Sequence, residues 1–151
     1  MNYLQIQNES TVKLKKTPVK DFLLKVLDKL GKDKWEVSVL FTGDAFIQQL
    51  NGEYRGKDEP TDVLSFAQVD NKEAFPEKGD RFYAGDIVIS METLAKNADY
   101  FGISMNEELK RLLVHGILHL SGMDHENNNP DQPMLVEQEK ILNQFTGVVL
   151  L

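Results

Sequence analysis

The chain contains no cysteine. That absence removes disulfide bridges, thiolate nucleophiles and every zinc or iron–sulfur site built on sulfur, so a metal centre here has to be made from His, Asp or Glu. A cationic surplus is missing as well: 17 Lys and Arg stand against 24 Asp and Glu, for a formal charge of −7 and a pI near 4.9. A broad basic face that holds nucleic acid by counterion release is therefore excluded, and any RNA contact must rest on a local patch. Long apolar runs are also lacking. The opening residues, MNYLQIQNESTVKLKK, carry no apolar export segment, and nothing approaches the ~18 apolar residues of a membrane span. The expectation is a cytoplasmic protein without a membrane partner.

What is present fits a globular domain. With 151 residues, 41% of them hydrophobic and 27% charged, the chain can bury a core, and one domain over residues 1–151 is expected. Residues 3–7 alternate like a short strand. TPVKDFLLKVLDKLG reads as a helix with Thr17 as N-cap, Pro18 at the first position, an apolar stripe through Phe22, Leu23, Val26, Leu27 and Leu30, and Gly31 at its end. WEVSVLFT alternates as a strand, and Asp44 is placed to cap a second helix carrying Phe46, Ile47, Leu50 and Tyr54. RGKDEPTD reads as a loop, VLSFAQV as a strand, residues 70–85 as a long loop, DIVIS as a buried strand and METLAKNADYF as a short helix.

Ser104 and Glu107 form an S-x-x-E capping box before a long helix that Gly122 closes, and a last helix is expected from near Asp131 to Gly147. Strands occupy the first two thirds and helices dominate the last third. The predicted class is α+β, a small mixed sheet packed by helices.

Histidine is scarce and concentrated. The chain has three, His115, His119 and His125, and all fall in the stretch VHGILHLSGMDH. His115 and His119 are four residues apart on the long helix, so their side chains lie ~40° apart around the axis and about 6 Å along it. A single histidine on an apolar helix face is ordinarily a hydrogen-bonded core residue, and pairs at this spacing arise by chance. The third, just past a glycine that can turn the chain back, is what points to a metal. A helix continued to residue 125 would carry that ring about 9 Å beyond His119, so the break at Gly122 is required. Three neutral imidazoles suit one Zn²⁺, or another divalent transition metal, and leave a fourth coordination position open, the layout of a catalytic rather than a structural site.

The spacing H-x-x-x-H-x-x-G-x-x-H is shared with the metzincin peptidases, in which a catalytic Glu follows the first histidine. Here that position is Gly116, and the peptidase's general base is missing. HGILHLSGMDH instead resembles the H-G-x-L-H-L-x-G-x-D-H signature of the YbeY family of bacterial endoribonucleases. LNGEYRGKDEPTDVLSFA is similar to that family's L-N-x-x-Y-R-x-x-D-x-P-T-D-V-L-S-F-P segment, and GDIVIS to its G-D-I-x-I-S strand. The blocks reach from Leu50 to His125, about half the chain, with Ala67 in place of the usual proline and Met123 where an aromatic is frequent.

The resemblance implies zinc on His115, His119 and His125, and a catalytic or RNA-contacting role for Arg55. It implies a hydrolase that cuts single-stranded RNA, with ribosomal RNA precursors as substrate and a ribosomal particle or ribosome-associated protein as partner. A guanidinium suits that chemistry because its fork of donors grips phosphate and offsets developing charge; spacing alone favours a surface ion pair for Arg55, and the resemblance reverses that preference. Asp124 either orients a ligand ring or caps the turn, and Arg111 either adds positive potential near the metal or is a solvated helix charge. Two other readings keep the site. One is a zinc peptidase or amidase whose base comes from Glu126 or Asp62; the other is a non-enzymatic ribosome-assembly factor with structural zinc.

Overall fold

The computed structural model describes residues 1–68 and 81–151. Alternation of apolar and polar residues sets the strands. In β2 (Trp35–Thr42) Val37, Val39 and Phe41 are fully buried, and β1 (Tyr3–Asn8) and β4 (Phe82–Ser90) pair with it on either side, both parallel. β3 (Val63–Ala67) closes the sheet antiparallel to β4, giving the order β1-β2-β4-β3. Among the described residues this mixed sheet and five helices make up the α+β class expected.

Among the described residues β3 is an edge strand. Ser90 N donates to Asp62 O and Gln68 N to Ala84 O. The even-numbered residues therefore face β4, and the N–H and C=O groups of Val63, Ser65 and Ala67 point out of the sheet.

Four helices share a core with one sheet face: α1 (Lys16–Lys29), α3 (Met91–Phe101), α4 (Met105–Leu120) and α5 (Pro133–Leu142). Among the described residues α2 (Asp44–Arg55) is the helix that covers the other face, through a small cluster of Ile47, Leu64 and Val88. α4 lies close on the sheet. A Cβ added at Gly116 would stand 2.8 Å from Ile87 Cδ1 and 3.0 Å from its Cγ2. The glycine is what admits this approach.

Several boundaries differ from the sequence reading. α1 begins at Lys16, one residue before Thr17, and Pro18 sits at the third helical position; its missing N–H costs nothing, because the first helical bond is Val19 N to Lys15 O. Asp44 is the first residue of α2 and not its cap. Its own N–H is satisfied by Glu92 Oε1, while its carboxylate accepts from Ser90 Oγ and Thr93 Oγ1 and so ties α2 to α3. β4 starts at Phe82, inside the stretch read as loop, because Gly85 (φ +145) accompanies a register shift that interrupts the alternation. The rest of that stretch, and Val69 of the expected strand, lie outside the described residues apart from Arg81. α5 starts at Pro133 and ends at Leu142, shorter at both ends than predicted.

Candidate metal centre

α4 carries two of the three histidines. Ser104 Oγ accepts from Glu107 N and starts the helix as expected, although the Glu107 carboxylate pairs with the buried Lys110 instead of completing the capping box. Leu109, Leu113, Ile117 and Leu118 anchor the helix with no exposed surface. At its end Gly122 takes φ +96, its N–H bonds to His119 O, and Met123 N bonds to Leu118 O, each at 3.0 Å. This pair of bonds is a Schellman ending. It reverses the chain and returns His125 to the helix.

The result is a triad of rings. Centroid separations are 4.7 Å for His115 and His119, 5.2 Å for His115 and His125, and 5.5 Å for His119 and His125. One ring nitrogen from each lies within 4.8 Å of the others, and the Nε2 atoms of His115 and His119 stand 3.1 Å apart. Two nitrogens bound tetrahedrally to zinc at about 2.0–2.1 Å are separated by about 3.3 Å. The three histidines are therefore placed to hold one metal ion.

The opposite ring nitrogens are all engaged. His115 Nδ1 lies 2.7 Å from Gln138 Oε1, His119 Nδ1 is 3.1 Å from Met123 O, and His125 Nδ1 is 2.9 Å from Asn127 O. Every partner is an oxygen that accepts, so each Nδ1 carries the proton and each Nε2 keeps its lone pair. Burial is the main cause that lowers the pKa of both His115 and His119 below the ordinary 6.5. Both rings are thereby neutral near pH 7, the state that binds a metal.

A groove of about 610 Å³ opens beside the triad, lined by His115, His119, Met123, residues 63–67 of β3, and Arg55. Arg55 arrives from the last turn of α2 on the other sheet face. Its Nη2 donates to Ser65 O at 2.8 Å, on the outward side of the edge strand, and its guanidinium lies 5.5 Å from the Phe66 ring.

Other side chains resolve into specific roles. Asp124 is exposed, accepts from the backbone N of His125 at 2.8 Å, and lies 4.0 Å from His119 Nδ1. It caps the turn; the Met123 carbonyl orients His119. Arg111 is neither free nor aimed at the metal, since it grips Glu139 through two hydrogen bonds. Asp62 binds Val63 N and Asn97, Glu126 is exposed, and neither lines the groove. Gln138 was missed in the sequence. Its signal is a polar residue on the face of α5 that otherwise buries Met134, Ile141 and Leu142.

Comparison with known proteins matches this arrangement. The profile of the family described as Endoribonuclease YbeY fits residues 5–146. Endoribonuclease YbeY of Treponema denticola is 56% identical over 131 residues, covering 86% of this chain and 83% of its own length. That of Treponema pallidum is 48% identical over 87% of this chain and 81% of its own. A solution structure of a protein from Thermotoga maritima superposes with a TM-score of 0.61 at 29% identity, covering 93% of this chain and 87% of the other. Likeness on this scale, in sequence and in fold alike, makes the chain a member of the YbeY family of endoribonucleases.

Proposed function

We propose that residues 1–151 act as a single zinc-dependent endoribonuclease domain that cuts single-stranded RNA in the cytoplasm, with ribosomal RNA precursors and defective ribosomal RNA as substrates. The observation that carries this reading is the set of three Nε2 lone pairs beside a groove that also holds Arg55. When bound by His115, His119 and His125, zinc supplies Lewis acidity toward the scissile phosphate.

The remaining work falls to the chain. The Nδ1 partners hold the three rings in the metal-binding tautomer. Among the described residues Arg55 hydrogen-bonds through one N–H, to Ser65 O, so the rest of its fork is available to grip a phosphate and to offset charge as the transition state forms. Exposed Tyr54 packs edge-on against Phe66, with centroids 5.3 Å apart, and offers an aromatic surface beside Arg55 on which an unpaired base can stack. Peptidase chemistry is disfavoured because residue 116 is a glycine and supplies no carboxylate base, and neither Asp62 nor Glu126 lines the groove. The charge of −7 favours weak binding to free RNA with a shallow salt dependence, and hence targeting through a ribosomal particle or a ribosome-associated protein.

The test is cleavage of labelled single-stranded and duplex RNA and of a peptide library by the wild type, His119→Ala and Arg55→Ala, with metal content measured on each. Wild type should cut the single strand alone. His119→Ala should lose metal and activity together, and Arg55→Ala should keep metal and lose roughly 10²–10³-fold in rate. Equal cutting by all three preparations, or cleavage of peptides alone, overturns the reading.

A further inference from the structure

The three imidazoles are not held alike. His119 and His125 lean on carbonyls of their own turn, four and two residues ahead, and are oriented wherever that turn forms. His115 depends on a side chain from another helix, Gln138 of α5, which is 6% exposed.

A carboxamide has two faces. Its oxygen accepts and its NH₂ donates, so whichever face meets His115 decides whether Nδ1 carries a proton. Glu139 makes that choice. Its Oε2 accepts from Gln138 Nε2 at 3.1 Å, which leaves only the amide oxygen for His115. Glu139 is itself fixed by Arg111, whose Nε and Nη2 donate to its two oxygens at 3.1 and 2.9 Å.

We infer that Gln138 is a positioning residue of the metal centre, holding His115 in the Nδ1–H tautomer, and that the Arg111–Glu139 pair sets the direction of the Gln138 amide. The inference rests on the proposed metal-binding role of the triad. Through it Arg111 acts on a ligand one turn further along its own helix, by way of two residues of α5. Gln138 does not touch the reacting atoms; it acts through His115.

Substitutions at Gln138 and Glu139, with two readouts, test this. Gln138→Leu keeps the volume and removes the acceptor, whereas Gln138→Glu keeps an acceptor that needs no particular direction. Zinc affinity is measured by competition with a chromophoric chelator. The His115 tautomer is read in the metal-free proteins from long-range nitrogen–proton correlation spectra of the rings, at alkaline pH where they are neutral. In Gln138→Leu the zinc dissociation constant should rise 10–100-fold, and His115 should lose its Nδ1–H preference, with the thermal midpoint of the metal-free chain little changed. Gln138→Glu alone would set two carboxylates against each other at the 3.1 Å contact, so it is combined with Glu139→Ala; in that double variant both should return to wild-type behaviour, whereas Glu139→Ala alone should weaken zinc binding. Wild-type affinity and tautomer in Gln138→Leu would overturn the inference, as would failure of Gln138→Glu combined with Glu139→Ala to restore them. If wild type and His119→Ala bind zinc alike, the metal reading itself fails, and the tautomer spectra still decide whether Gln138 orients His115.

Discussion

Replacing Gly116 with alanine measures how closely α4 lies on the sheet. The substitution removes a glycine from a helix interior, which alone is worth about 1 kcal/mol of stabilisation. Space opposes it. The new Cβ would lie 2.8 Å from Ile87 Cδ1, 3.0 Å from Cγ2 and 3.1 Å from Cγ1, where comfortable carbon contacts are about 3.5–4.0 Å. Ile87 has no exposed surface, and its strand is paired on both sides, through Val39 of β2 and Ser65 of β3. The backbone cannot retreat, so either the isoleucine leaves its rotamer or the helix lifts. Overpacking of this kind costs about 1–3 kcal/mol, leaving a net loss of about 1 kcal/mol once propensity is subtracted. In a chain of this size that corresponds to a fall of roughly 2–4 °C in Tm.

The assay is urea denaturation of Gly116→Ala, Ile87→Val and the double variant. Ile87→Val alone should cost about 0.5–1.5 kcal/mol. Because it deletes the nearest methyl, the double variant should be more stable than the sum of the two losses implies, by at least about 0.5 kcal/mol. Zinc affinity should fall in Gly116→Ala, since a lifted helix carries His115 away from Gln138. A Gly116→Ala chain that gains the full propensity increment, with additive effects in the double variant, refutes the close contact.

Gly122→Ala should act differently, because nothing lies within 4 Å of the added Cβ and only its φ of +96 is strained. About 1–2 kcal/mol should be lost, with zinc affinity reduced in calorimetric titration; unchanged affinity would show that the turn does not place His125. Chelation should abolish RNA cleavage while hydrogen-exchange protection falls only near residues 121–132, since the core of α4 is built from Leu109, Leu113 and Ile117. Protection lost across β2 and β4 as well would support a structural metal instead. Arg111 is the main cause that holds the Glu139 carboxyl below its ordinary 4.5. That pair therefore stabilises the fold above about pH 4.5 and loses its contribution as pH falls through the depressed value. The stability difference between wild type and Glu139→Gln in urea should shrink as pH drops below 4.5, and a difference that stays constant as the carboxyl is titrated would contradict the pairing.

Much of the site was legible because its geometry is local. The three histidines lie within one helix end and one turn, so the helical repeat and one glycine suffice to bring them together. Arg55 was visible only through the family's motif, because it reaches the groove from α2 over the sheet edge, a route no local periodicity encodes. Gln138 escaped for the same reason, its partner being 23 residues away. The helix starts failed differently. Thr17 and Asp44 are good capping residues, but tertiary contacts from Glu92, Ser90 and Thr93 took over at α2, and α1 begins without a side-chain cap. The start of β4 was hidden by Gly85, which reads as a loop residue while serving an irregularity in the sheet.

The hydrogen bond from Arg55 to Ser65 O has a consequence for solubility. Outward-facing backbone groups on a terminal strand invite a second chain to dock by strand addition, and a charged side chain over the acceptor is one way of blocking it. Ala67, standing where a proline would remove one donor, leaves that blocking more to Arg55. Truncating the arginine therefore uncovers a template for self-association, so Arg55→Ala should sediment partly as larger species at high concentration, whereas Arg55→Lys, which retains a charge at the edge, should remain disperse.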